Sequence, residues 1–191
     1  MAKKEAKATD PRFEVLRMLT VEQKDKLLLK LFRKDPLLVE KLAFEFFEDK
    51  SDLKQRVDAI KVKINRQITQ SYVTWDTPGE LMMEMRSVSG QINEHVKITK
   101  DKYGEIELNL LMLNTAFERF WKMLNDKPSR AETFTQYVLK RTETVFKLLS
   151  KMHEDNHLDF KEDVNKLLNF IHNYPPTKNN VRSFDIPKDF G

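Results

Sequence analysis

Apolar residues recur along this chain at intervals of three and four, the spacing that lines one face of an α-helix. Val21, Leu27, Leu28, Leu31 and Phe32 mark one helix, and Leu37, Leu38, Leu42, Phe46 and Phe47 the next. Leu53, Val57, Ile60, Ile64, Ile68 and Tyr72 form an unbroken stripe for a longer one, followed by Leu81, Met82, Met85, Ser89, Ile92 and Val96. From Ile106 to Leu124 the chain is apolar on nearly all sides, through Leu108, Leu110 to Leu113, Phe117, Phe120 and Trp121, which predicts the most buried helix. Two more are expected from Arg130 to about Glu154 and from Phe160 to Tyr174, the latter on Phe160, Val164, Leu167, Leu168 and Ile171.

The breaks between these stripes carry helix-start chemistry. Asp10-Pro11, Asp35-Pro36 and Thr77-Pro78 each place a side-chain acceptor ahead of a proline at the first helical position, where its missing N–H costs nothing. Capping boxes are expected at Thr20 with Gln23, Thr77 with Glu80 and Ser129 with Glu132, and Ser51 is the expected cap of the fourth helix. After Pro175-Pro176 the helical period stops, and Val181, Phe184, Ile186 and Phe190 follow at roughly strand-like spacing. The pattern therefore predicts an all-α fold of seven or eight helices in antiparallel hairpins, as an irregular α–α superhelix or a helical bundle. Residues 1–9 are expected to be a disordered or loosely held tail, 10–174 a single all-helical domain, and 175–191 an extended C-terminal arm. That arm either straps across the helices or offers Phe184 and Phe190 to a partner's groove.

Composition narrows the function classes. With no cysteine there is no disulfide framework, thiolate metal site or cysteine nucleophile, and four glycines in 191 residues leave little for hairpin turns or phosphate loops. Only Gly90 falls inside a helical stripe, so a kink or close helix contact is expected there. The start of the chain has no apolar stretch after its lysines and no apolar run approaches the ~18 residues of a membrane span, so a cytoplasmic location without membrane contact is the expectation.

The net charge of +4 is small for a chain that is 34% charged, so position matters more than sum. In the fourth helix Lys50, Lys54, Arg56, Lys61, Lys63 and Arg66 stand against Asp52 and Asp58. Between Glu118 and Lys151, eight cations from Arg119 to Lys151 stand against four carboxylates. If those helices are neighbours, they form one face for sequence-independent binding of nucleic acid.

Catalytic patterns are few. His153-Glu154-Asp155-Asn156-His157 is a literal H-E-x-x-H, the zinc-hydrolase string in which two histidines on one helix face hold the metal and the glutamate is the base. Asp155 and Asn156 are poor helix formers and place His157 beyond the end of its helix, so the match is read as fortuitous. Glu154 and His157 also match one half of a di-iron ligand set, which needs a second such pair that the chain lacks. Glu45, Glu48, Asp49 and Asp52 could hold magnesium, but the interposed Phe46, Phe47 and Lys50 favour an acidic helix end. No cofactor is expected. Trp75, in the Tyr72 to Pro78 connection, either plugs a helix junction or anchors an interface.

Residues Lys26 to Phe47, with the short turn Lys34-Asp35-Pro36 and then Val39 and Ala43, weakly resemble a HEAT or armadillo-type helical hairpin. That resemblance implies binding of other macromolecules along a curved surface, with no chemistry of its own. The expected function is a non-enzymatic helical module that binds a protein partner, with Trp75, Phe184 and Phe190 as contact candidates. Nucleic-acid binding through the basic helices is second, and a helical metal-dependent hydrolase third.

Overall fold

The computed structural model describes residues 11–69, 77–127 and 131–191. They form α1 (Pro11–Met18), α2 (Val21–Lys34), α3 (Pro36–Phe47), α4 (Lys50–Thr69), α5 (Pro78–Thr99), α6 (Lys102–Asp126), α7 (Glu132–Leu149), α8 (His157–Asn173) and α9 (Pro175–Asn180). Single 3-10 turns lie at Glu154–Asn156 and Val181–Ser183, and no strand occurs among the described residues. The fold is all-α, as the hydrophobic period requires.

In place of one domain the chain divides into two compact units, Met1–Phe47 and Glu48–Gly191. The reason composition does not betray the division is local. α3 ends at Phe47 and α4 begins at Lys50, and the break is made by capping rather than by linker residues. The Asp49 carboxylate accepts from the Ser51 N–H at 2.6 Å and the Asp52 N–H at 3.2 Å, while the Asp52 carboxylate accepts from the Asp49 N–H at 3.0 Å. Asp49 thus takes the capping role expected of Ser51.

The larger unit is built around α6. This helix packs against α4, α5, α7 and α8, while α9 packs on α7 and α8. Ile106, Leu108, Leu110, Met112, Leu113, Ala116 and Phe117 are fully buried, so a stripe on every side of α6 finds a partner. At its C-terminal half, Phe117 stacks on Phe170 at 5.3 Å between ring centroids and meets Phe134 and Tyr174 edge-on, both at 5.9 Å. Trp121 closes the cluster against Phe170 and Tyr174. Short joints hold the helices in place. The Thr77–Glu80 capping box starts α5, Lys100 closes it in the left-handed conformation at φ 58°, and Asp101 caps α6. The Asp101 carboxylate lies 3.3 Å from Nε2 of the buried His95, and that hydrogen bond, with the Gly104 N–H, outweighs burial and holds its pKa below the ordinary value.

Gly90 and Gly104 behave differently, and neither kinks a helix. α5 runs unbroken through Gly90, where an added Cβ would meet nothing within 4 Å. At Gly104 the same atom would collide with the Asp101 carboxylate and stand 3.1 Å from Val57 of α4. Gly90→Ala should therefore stabilise the protein by about 0.5–1 kcal/mol through helix propensity, and Gly104→Ala should cost roughly 1–2 kcal/mol by displacing the cap. Urea midpoints that move in the same direction for both variants would contradict this reading.

The expected extended arm is helical in its first part. Pro175 and Pro176 occupy opening positions of α9, where proline is tolerated, so they start a helix instead of ending all helical structure. The Thr177 hydroxyl donates to the carbonyls of Ile171 and Tyr174, at 2.7 and 3.0 Å, tying α9 to the end of α8. After the turn at Val181–Ser183 the chain is irregular. Phe184, Ile186 and Phe190 pack, half-buried, on the unit's core. Asn165 fixes the end by donating to the Phe190 carbonyl at 2.8 Å and accepting its N–H at 2.9 Å.

Tyr174, fully buried beside this joint, has no hydrogen-bond partner for its hydroxyl among the described residues. Burial pushes its pKa from 10 up to about 12. A phenol with a raised folded pKa keeps its proton longer in the folded state, so stability falls as pH rises above the unfolded value near 10. By about pH 11 this should cost on the order of 1 kcal/mol. Tyr174→Phe should flatten that part of the alkaline stability profile. Parallel profiles for the two proteins would refute the assignment.

Candidate protein-docking surface

The smaller unit is the exception to the pattern of burial. The Thr20–Gln23 capping box starts α2, with N–H to side-chain distances of 2.9 and 3.3 Å, and Asp35 alone turns the chain into α3, accepting from the Leu38 N–H at 3.1 Å. Phe32, Leu37, Leu38 and Leu42 are half-buried, yet no residue from 12 to 47 is buried. Twelve of the sixteen exposed large apolar side chains among the described residues lie in this unit, so its stripes are helical but largely uncovered.

Part of that surface is concave. Phe13, Leu16 and Arg17 of α1 face Lys24, Leu27, Leu28 and Leu31 of α2 across a groove of about 440 Å³. The positions follow from helix geometry: i, i+3 and i+4 on α1, and i, i+3, i+4 and i+7 on α2. Leu28 at 45% and Phe13 at 57% exposure show that the groove is open to solvent. Among the described residues its only charged lining side chains are Arg17 and Lys24. Neither these two nor Lys26, Lys30, Arg33 and Lys34 of α2 has a carboxylate in ion-pair reach among the described residues.

The residues singled out from sequence are placed elsewhere. On α4, Arg56 is paired with Glu48, its Nε donating at 2.6 Å, and this hydrogen bond keeps the Glu48 carboxyl below its ordinary pKa. Lys61 donates to Glu107 at 2.7 Å and lies 3.6 Å from Asp58; burial works to lower its pKa, and these carboxylates overcome that and raise it. Lys54, Lys63 and Arg66 are exposed. α4 packs closely on α6, which carries Arg119 and Lys122 of the second stretch, whereas α7, which carries Lys140, Arg141 and Lys147, is not among its closely packed partners. Within the second stretch, Lys147 pairs with Glu143 at 2.8 Å, and Arg141, with Lys140 and Arg86, lines a shallow groove of about 370 Å³ between α5 and α7 that Glu132 also enters.

The H-E-x-x-H string is split by local structure. α7 ends at Leu149, four residues earlier than the helix needed to carry His153, because Ser150 to Met152 turn the chain away. His153 sits ahead of the 3-10 turn with its Nδ1 3.2 Å from Asp155, Glu154 lies within that turn, and His157 opens α8 with Nε2 2.8 Å from the Leu149 carbonyl. The two histidines therefore do not share a helix face. Among the described residues no three His, Asp or Glu side chains are grouped to hold a metal ion. Of the acidic run, Asp49 and Asp52 are used in the α4 cap and Glu48 by Arg56. Phe190 packs against Phe146 and His157 of its own unit, and Phe184 against the same core. Trp75, Ser129 and Asp10 lie outside the described residues.

Phe13, Leu16 and Arg17 carry half of the groove and were not evident as contact residues in the sequence. Their i, i+3, i+4 spacing marks an apolar helix face, but that signal is the same whether the face is covered by the chain or by something else. No known family, curated protein or solved structure matches the chain. No described helix is long and apolar enough to cross a membrane.

Proposed function

We propose that this protein is a non-enzymatic interaction module that binds a protein partner through the α1–α2 face. The observation that carries this reading is the groove of Phe13, Leu16, Leu27, Leu28 and Leu31, uncovered in a unit where no residue from 12 to 47 is buried. Contiguous apolar surface exposed to water is costly, and partner binding is the usual way it is covered. The weak likeness of the Lys26–Phe47 hairpin to repeat hairpins that bind macromolecules points the same way. Nucleic-acid binding has less support, since Arg56 and Lys61 of the six α4 cations are already engaged by carboxylates.

The test uses the full chain as bait in its native cell extract, beside the same chain carrying Leu27→Glu and Leu31→Glu. A discrete protein should be retained by the first and lost from the second, with the cooperative unfolding of the larger unit unchanged. Retention that does not depend on these leucines, or no retained protein, would count against a docking role for this face.

A further inference from the structure

We infer that the segment docking in the α1–α2 groove is an amphipathic helix whose apolar edge is flanked by carboxylates. This rests on the docking role proposed above and adds the chemistry of the occupant.

The walls of the groove decide the guest's conformation. α1 and α2 are helices whose interior N–H and C=O groups are paired along the helix, and no strand edge exists among this unit's described residues. An extended guest laid against them would find no backbone ladder for its own donors and acceptors. A helix satisfies its backbone internally and presents only side chains. Its ridge of residues at i, i+3, i+4 and i+7 matches the spacing of Leu27, Leu28 and Leu31 along α2, as ridges of one helix fit between those of another.

The charges decide the guest's flanks. Arg17 and Lys24 line the groove, no acid does, and neither cation has a carboxylate partner among the described residues. Covering the apolar floor brings a guest's flanking positions beside these two cations, where lower dielectric strengthens either attraction or repulsion. Carboxylates are therefore favoured and lysines opposed. A second copy entering groove to groove would set Arg17 and Lys24 against their own counterparts, with no acid from the lining between them. An anionic bilayer would satisfy the charge, but a flat surface leaves a concave apolar floor unfilled.

Two synthetic peptides of about 18 residues, long enough for helix formation, test this directly. Both carry leucine at i, i+3, i+4, i+7 and i+11, and they differ only in glutamate or lysine at the flanking positions. Fluorescence anisotropy with the full chain should show the glutamate peptide binding at least about tenfold more tightly, with the advantage shrinking as salt is added. Arg17→Glu with Lys24→Glu should reverse the preference, and Arg17→Gln with Lys24→Gln should erase it. Equal binding of both peptides that still depends on Leu27 and Leu31 would overturn the acidic-helix inference while leaving the docking face standing. Binding indifferent to Leu27→Glu and Leu31→Glu would overturn both. Leucine-dependent sedimentation with phosphatidylserine vesicles that the glutamate peptide does not compete away, or a leucine-dependent dimer of the chain by light scattering, would replace the helix with a membrane or a second copy.

Discussion

Replacing Phe117 with Ala is expected to lower the unfolding free energy of the Glu48–Gly191 unit by about 3–5 kcal/mol. Phe117 is fully buried on α6, and its ring touches residues of α6, α7 and α8 together with Tyr174 at the entry to α9. Truncation removes the transfer energy of the ring and leaves a cavity among rings too large to collapse into it. Because the same ring joins the helices that carry the C-terminal segment, the loss should appear as a lower denaturation midpoint of the whole unit, with Trp121 fluorescence as a local reporter. A cost below about 1 kcal/mol would mean that the aromatic cluster is not what joins these helices.

Leu27→Glu with Leu31→Glu should show the opposite pattern. Both side chains are exposed, at 39% and 43%, so the charges reach water in the unbound protein and its folding should change little. In a covered groove each substitution removes about 1.5–3 kcal/mol of apolar burial and places a carboxylate in the contact. Together they should weaken partner binding by more than about a hundredfold. Stability and binding should thus separate by unit, with Phe117 setting the folding of the larger one and the leucines setting the proposed docking on the smaller. A double variant that binds normally, or one that unfolds the chain, would contradict that separation.

The helices themselves were legible in the sequence because period and capping are local properties. α6 shows this well, since residues apolar on every side must be enclosed by other helices, and they are. Thr20, Asp35 and Thr77 were equally clear, as short polar side chains that must take up orphan N–H groups. Errors arose where one residue type serves two purposes. Pro175 and Pro176 read as the end of helical structure but open α9, because proline is as suited to a first turn as it is damaging to a later one. Gly90 read as a kink or a close helix contact, although a glycine facing open space simply forgoes a side chain. The apolar groove between α1 and α2 was hidden for a deeper reason. The stripe on α2 has the same spacing as the stripe on α4, where Ile64 and Ile68 are fully buried, and sequence period specifies a face without specifying what covers it.

Hydrogen exchange on the full chain, with and without a saturating amount of the glutamate-flanked peptide, tests the docking role most directly. In the unbound protein the amides of α1 and α2 should exchange well before those at the centre of α6, because few buried contacts hold them closed. Bound peptide should slow exchange in Pro11–Met18 and Val21–Lys34 and leave α6 as it was. Unchanged exchange in those two helices, or protection gained only within Glu48–Gly191, would show that the exposed apolar face of the smaller unit is not where a partner binds.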